Sequence, residues 1–145
     1  FRFSSPICFE DSFGYLNRRF VNNGAEVLIN LTNDSWANSE TAMVQHAAMA
    51  VFRATENRRS MVRSTNGGFT TLIDPNGQIV DWLPMFTEDY LLVDVPIYTE
   101  GTTLYTRFGD WFAWTSLLAA VGLLGWGAIR ALTAARGQRT MRNRG

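Results

Sequence analysis

The sequence predicts an α/β domain built on a mixed sheet, followed by one membrane-spanning helix. Three observations predict it. Strand-like and helix-like segments alternate from residue 3 to residue 58, the order of parallel βαβ units. Short apolar segments around a strong turn come next, as hairpin strands do. Residues 111–129 then run without a charge between Asp110 and Arg130.

Each element follows from its residues. Residues 3–8 read as a short strand, and Pro6 inside it fits an edge or a strand end, because proline donates nothing to a ladder. Asp11 and Ser12 read as caps of a helix over 13–22, where Phe13, Leu16 and Phe20 recur at helical spacing. Asn23-Gly24 ends it. The apolar run VLINL at 27–31 suits a buried strand. TNDSWANS at 32–39 reads as a polar loop with one Trp. A long helix is expected from Glu40 to about Arg58, with Met43, Ala47, Ala50 and Ala54 on one face and Val44 and Val51 beside them. Residues 61–65 and 69–73 read as strands. Asp74-Pro75-Asn76-Gly77 is a turn, with Pro fixing φ and Gly taking positive φ, and 78–83 return as the hairpin partner. Residues 90–95 (YLLVDV) read as a further strand, and 96–110 as a connector.

Composition narrows the class. Hydrophobic residues make up 46% of the 145 and charged residues 18%, which excludes a disordered tail. All thirteen basic residues are Arg; Lys is absent. Residues 1–110 hold eight Arg and all thirteen acids, whereas 111–145 hold five Arg and no acid. An acidic globular part of this kind is not a nucleic-acid binder with a basic face. One cysteine, Cys8, excludes an intrachain disulfide and a cysteine metal cluster. With a single His as well, neither metal nor cofactor is expected. By composition alone a lone cysteine reads as a small buried hydrophobe.

The uncharged stretch is nineteen residues long. As a helix it covers most of a hydrocarbon core of ~30 Å. Trp111 and Trp114 stand near one end and Trp126 near the other, where indoles prefer the interface. Arg130, Arg136, Arg139, Arg142 and Arg144 follow. This basic cluster predicts a cytoplasmic tail and places residues 1–110 outside the cytoplasm. The expected organisation is a globular part over 1–110, a membrane helix over 111–130 and a basic tail over 131–145. Ser116, Ala119, Gly122 and Gly125 fit either close helix packing or the ordinary abundance of glycine in such helices. The chain opens on Phe1 with no leader, so it is expected to be a piece of a longer protein whose earlier membrane helices export residues 1–110.

Three segments carry a resemblance. Ile7-Cys8-Phe9-Glu10 resembles the nucleophile motif of the nitrilase superfamily: a Cys at a strand end, an aromatic, then Glu. Asn33-Asp34-Ser35-Trp36, Gln45-His46 and Arg53 resemble the next loop and helix of one branch. Residues 63–68 (RSTNGG) and 74–77 (DPNG) resemble its later strands and hairpin. With the terminal membrane helix and basic tail, the ordered set resembles the C-terminal part of the apolipoprotein N-acyltransferase branch.

The resemblance implies a partial αββα sandwich, with its catalytic domain on the periplasmic side of a bacterial inner membrane. It implies transfer of an acyl chain from a phospholipid donor to the N-terminal amine of a diacylglyceryl-cysteine lipoprotein acceptor. It implies a Glu-Lys-Cys triad with Cys8 as nucleophile and Glu10 as a second catalytic glutamate. Phe9, Asn33 and Trp36 are the implied substrate-binding residues. The triad Glu and Lys are expected in an upstream part of the same protein, so the 145 residues alone are expected to be inactive. The family's usual Tyr is Phe9 here, and Ala37-Asn38 stand where an aromatic and Gly are common.

A thiol suits such chemistry because a thioester splits acyl transfer into two easier steps. Glu10 reads either as catalytic or as a solvated strand-end charge. Asn33, Asp34 and Trp36 read either as site residues or as a loop capping the next helix. His46 is expected to be structural, and Arg63 and Asn66 to brace strands or the floor of the site. Two other readings of the whole stay open: an amidase-like carbon–nitrogen hydrolase, and a non-catalytic membrane-anchored remnant.

Overall fold

The computed structural model describes residues 1–142, and side chains as far as residue 133. Arg144 of the expected basic tail lies outside the described residues. The chain divides into two units, Phe1–Gly109 and Asp110–Gly145.

The first unit is a five-stranded mixed sheet in sequential order. β1 (Phe3–Ser4), β2 (Val27–Asn33) and β3 (Ser60–Asn66) run parallel. β4 (Thr71–Ile73) and β5 (Ile79–Trp82) continue antiparallel. β1 is shorter than the 3–8 expected. Pro6 has no N–H to give, and contact resumes only at an isolated bridge between Ile7 and Leu31. The turn joining β4 to β5 is as expected: Gly77 takes φ +85°, and the Asp74 carboxylate accepts from Asn76 N–H and Gln78 N–H.

Two helices cover one face. α1 is Gly14–Asn22 and α2 is Glu40–Asn57. Asp11 and Ser12 do not cap α1. They belong to a tight 3-10 turn, Cys8–Ser12, and the cap position falls to Phe13, which offers no side-chain bond. Asp11 is drawn instead to stronger partners, two buried cations. The Asn17 amide completes the helix start by donating to the Glu10 and Phe13 carbonyls. α2 buries Met43, Ala47, Ala50 and Ala54, as its spacing predicts. Val51 packs at the edge of the core, but Val44 is half exposed. The core joins Val21, Ala25, Leu28, Ala50, Ala54, Met61 and Ile73. Alanines on the contact face let α2 approach the sheet closely.

Residues 90–95 do not form the expected strand. Both edges of β3 are taken by β2 and β4, so no ladder is open to them there. The segment runs past β3 unpaired, leaving Leu92 90% exposed, and the Ser60 hydroxyl donates to the Pro96 carbonyl. The connector carries a short helix, α3 (Leu104–Phe108), which the sequence reading lacked. Arg18 binds its Tyr105, Thr106 and Arg107 carbonyls, and Asn22 adds a bond to Thr106.

The second unit is α4, Trp111–Arg142. Trp111–Thr133 is long and apolar enough, by length and composition, to cross a membrane.

Candidate active site

Cys8 sits just past the bridge at Ile7, beside the carboxyl ends of β2 and β3. In open α/β sheets this is the end where ligands bind. The residue holds φ +51°, a left-handed conformation rare for a side chain with a Cβ. It lines an open cleft of about 1040 Å³ together with Asn33, Ser64, Asn66, Phe86 and Glu88. The thiol is therefore at a crevice rather than sealed in the core.

The strained turn is held by its neighbours. The Asn30 amide, fully buried on β2, donates to the Cys8 carbonyl at 3.0 Å and the Pro6 carbonyl at 3.2 Å. The Glu10 carboxylate accepts from Ile7 N–H at 2.7 Å and so closes the turn on itself. Glu10 does not line the cleft.

Below the turn lies a closed ring of four charges. His46 on α2 bonds Asp11 through Nε2 and Asp34 through Nδ1, each at 2.8 Å. Arg63 on β3 donates to Asp11 at 2.5 Å and to Asp34 at 3.1 Å. All four residues are buried. Two carboxylates face two cations, so the ring is balanced when His46 is protonated. Burial alone would push His46 down. The hydrogen bonds that His46 donates to Asp11 and then Asp34 outweigh burial and lift the imidazole to about 9. Burial likewise pushes Asp34 up, but the His46 hydrogen bond and the His46 and Arg63 charges hold it below its ordinary value. Burial draws Arg63 down, while Asp11, Asp34 and Cys8 act in the opposite direction.

The expected site residues divide. Cys8 and Asn33 share the cleft. Asn33 Oδ1 accepts from the Ser35 N–H and hydroxyl and from the Asn66 amide, which fixes the rim. Phe9 and Trp36 lie elsewhere: they line a smaller cavity of about 150 Å³ with Met49, and Phe9 stacks on His46. His46 and Arg63 are buried and bonded to Asp11 and Asp34, away from the cleft. Asp11 and Asn30 were missed, and so was the cleft wall formed by Phe86, Glu88 and Asp89. Among the described residues no cluster of His, Cys, Asp and Glu could hold a metal ion.

Comparison with known proteins adds to this geometry. The carbon-nitrogen hydrolase family matches residues 2–103. Apolipoprotein N-acyltransferase 1 of Treponema denticola is 51% identical over 113 residues, which cover 77% of this chain and 21% of that protein. Its namesake in Treponema pallidum is 44% identical over 135 residues, 93% of this chain and 25% of the relative. The apolipoprotein N-acyltransferase of Thermotoga maritima is 43% identical over 81% of this chain and 23% of its own length. The chain thus spans about a fifth to a quarter of the curated relatives it matches. Among solved structures, a carbon-nitrogen hydrolase from Helicobacter pylori G27 superposes with a TM-score of 0.53 at 13% identity, over 59% of this chain and 37% of that one.

Proposed function

From the premise that this chain belongs to the carbon-nitrogen hydrolase family, we propose that it carries the nucleophile of a membrane-bound lipoprotein N-acyltransferase. The observation behind the reading is the placement of Cys8: left-handed, at the carboxyl end of parallel strands, lining an open cleft. Relatives named apolipoprotein N-acyltransferase and an apolar terminal helix support the lipid substrate class.

In the first step the Cys8 sulfur attacks the ester carbonyl of a phospholipid. A C–S bond forms, the ester C–O bond breaks, and the thiol proton passes to the departing lysophospholipid oxygen. In the second step the lipoprotein α-amine attacks the thioester. An amide C–N bond forms, the C–S bond breaks, and a proton from the amine returns to sulfur. The thiolate, not the thiol, is the nucleophile, so the first step needs a base to take the proton. The chain has no Lys. The base and the lysine of the implied triad come from sequence outside these 145 residues, and the chain alone is inactive. Glu10 orients the turn through Ile7 N–H. Asn33 shapes the cleft, whereas Phe9 and Trp36 contact acyl chain at the smaller cavity. Residues 1–110 face the periplasm, 111–130 span the inner membrane, and the Arg-rich 131–145 face the cytoplasm.

The test is to trap the intermediate. Native membranes carrying the chain with its flanking sequence, given phospholipid with a labelled acyl chain, should yield a hydroxylamine-sensitive label on Cys8, and Cys8→Ala should abolish it. Label retained by Cys8→Ala would sink the role of Cys8. Release of ammonia from small amides, with no label from phospholipid, would make the protein an amidase instead.

A further inference from the structure

We propose that Asp11 and His46 are positioning residues for Cys8, which act through the buried ring they form with Asp34 and Arg63. The inference rests on the reading of Cys8 as nucleophile, and it concerns residues that do not line the Cys8 cleft.

The geometry carries it. Asp11 is three residues beyond Cys8, in the same turn. Each oxygen of its carboxylate takes a different cation: Oδ1 bonds His46 and Oδ2 bonds Arg63. Asp34, at the end of β2, repeats the arrangement. The ring therefore ties the nucleophile turn to α2, to β3 and to the mouth of β2 at once. The left-handed Cys8 is a conformation that persists only where its surroundings over-determine it. Asn30 grips the turn at Cys8 and ahead of it, and the ring grips it behind.

His46 has a defined state in this ring. Both ring nitrogens face carboxylate oxygens at 2.8 Å. A neutral imidazole donates from one nitrogen only and would set a lone pair against the other carboxylate. The imidazolium donates from both. Its two N–H groups are committed to Asp11 and Asp34, so His46 is a strut and not the base that activates Cys8.

The test compares Asp11→Asn with Asp11→Asn/His46→Gln in the native membrane protein. The single change leaves an excess buried positive charge; the double change restores balance. Two measurements are made per folded molecule. Hydrogen exchange over residues 7–13 reads the turn, which contains the Glu10 N–H to Ile7 and Phe13 N–H to Glu10 bonds. Single-turnover labelling of Cys8 from phospholipid reads the chemistry. In Asp11→Asn, exchange over 7–13 should rise about tenfold or more while β2 and β3 keep their protection. The limiting acylation rate should fall about 100-fold, with half-saturation moved less than about threefold. The double variant should recover about tenfold in both measurements.

Unchanged exchange over 7–13 would overturn the inference, and so would a uniform rise across the sheet. Local loosening with a wild-type acylation rate would also overturn it. If the wild type takes no label at all, the acyltransferase reading fails. The exchange data then still decide whether the ring holds the turn.

Discussion

Gly68 shows how tightly the ring is enclosed. A Cβ there would stand 2.5 Å from Asp34 Oδ2 and 2.7 Å from its Cβ. Asp34 has little room to retreat, because its carboxylate is fixed by His46, Arg63 and Thr32. Gly68→Ala should therefore destabilise the protein by about 1–3 kcal/mol, the usual cost of overpacking, without changing a charge. A lowered urea midpoint for the detergent-solubilised protein checks it; an unchanged midpoint would mean that Asp34 moves freely. Asn30→Leu should cost about 1–3 kcal/mol by the same measurement, since it removes the side-chain donor of the half-buried Cys8 carbonyl and leaves the Pro6 carbonyl only its bond from Leu31 N–H. At this scale the sequence revealed what was local. Cys8 and Asn33 stand in short recognisable motifs. Asp11 did not stand out, because an acid just ahead of a helix looks like a cap, and its true partners are 35 and 52 residues away. Glu10 reads as a catalytic or a solvated acid, and the bond it accepts from Ile7 N–H within its own turn is not legible in the motif.

Among the elements, α2 carries the clearest pH dependence. His46 titrates near 9 in the folded protein against 6.5 ordinarily. Its proton thus stabilises the fold fully below about pH 6.5, and that contribution fades as pH rises through 9. The upper bound is about 3 kcal/mol. Asp34 behaves oppositely: its lowered value stabilises above its ordinary 3.8, and the contribution is lost on acidification. Thermal midpoints should hold between about pH 4 and 6.5 and decline toward 9.5, with His46→Gln flattening the alkaline limb. A midpoint independent of alkaline pH would show that His46 is not protonated in the ring. The end of α2 offers a second check. Arg58 holds φ +52° as it closes the helix, a position that glycine takes without strain. Arg58→Gly should raise stability by about 0.5 kcal/mol, read as a higher urea midpoint. Elements with strong periodicity were legible in advance: α1, α2, β2, β3 and the 74–77 turn lie within a few residues of their expected places. Residues 90–95 were not, because an apolar alternating run cannot announce that both edges of its neighbour are occupied. α3 was hidden too, since side chains of α1 cap its carbonyls from 80 or more residues away.

For the molecule as a whole, charge and hydropathy are divided along the chain. Every acid lies before residue 111, and the stretch Trp111–Thr133 offers apolar side chains to its surroundings along its length. Leu118, Leu123 and Leu124 are each at least 70% exposed. Apolar surface of that extent is unfavourable in water and ordinary in a bilayer. A charge at mid-span tests the difference. Leu123→Arg lies near the centre of a stretch about 35 Å long and should cost about 2.5–3.5 kcal/mol of insertion. Leu132→Arg, beside the basic end, should cost close to nothing, because the long side chain reaches the interface. After alkaline carbonate washing of membranes from cells that express these 145 residues alone, the Leu123→Arg protein should appear in the soluble fraction while the Leu132→Arg protein stays in the pellet. If both variants stay in the pellet, α4 is not what holds these residues at the bilayer. The proposed lipid contact would then have to originate in the surface of the first unit, around Phe9 and Trp36.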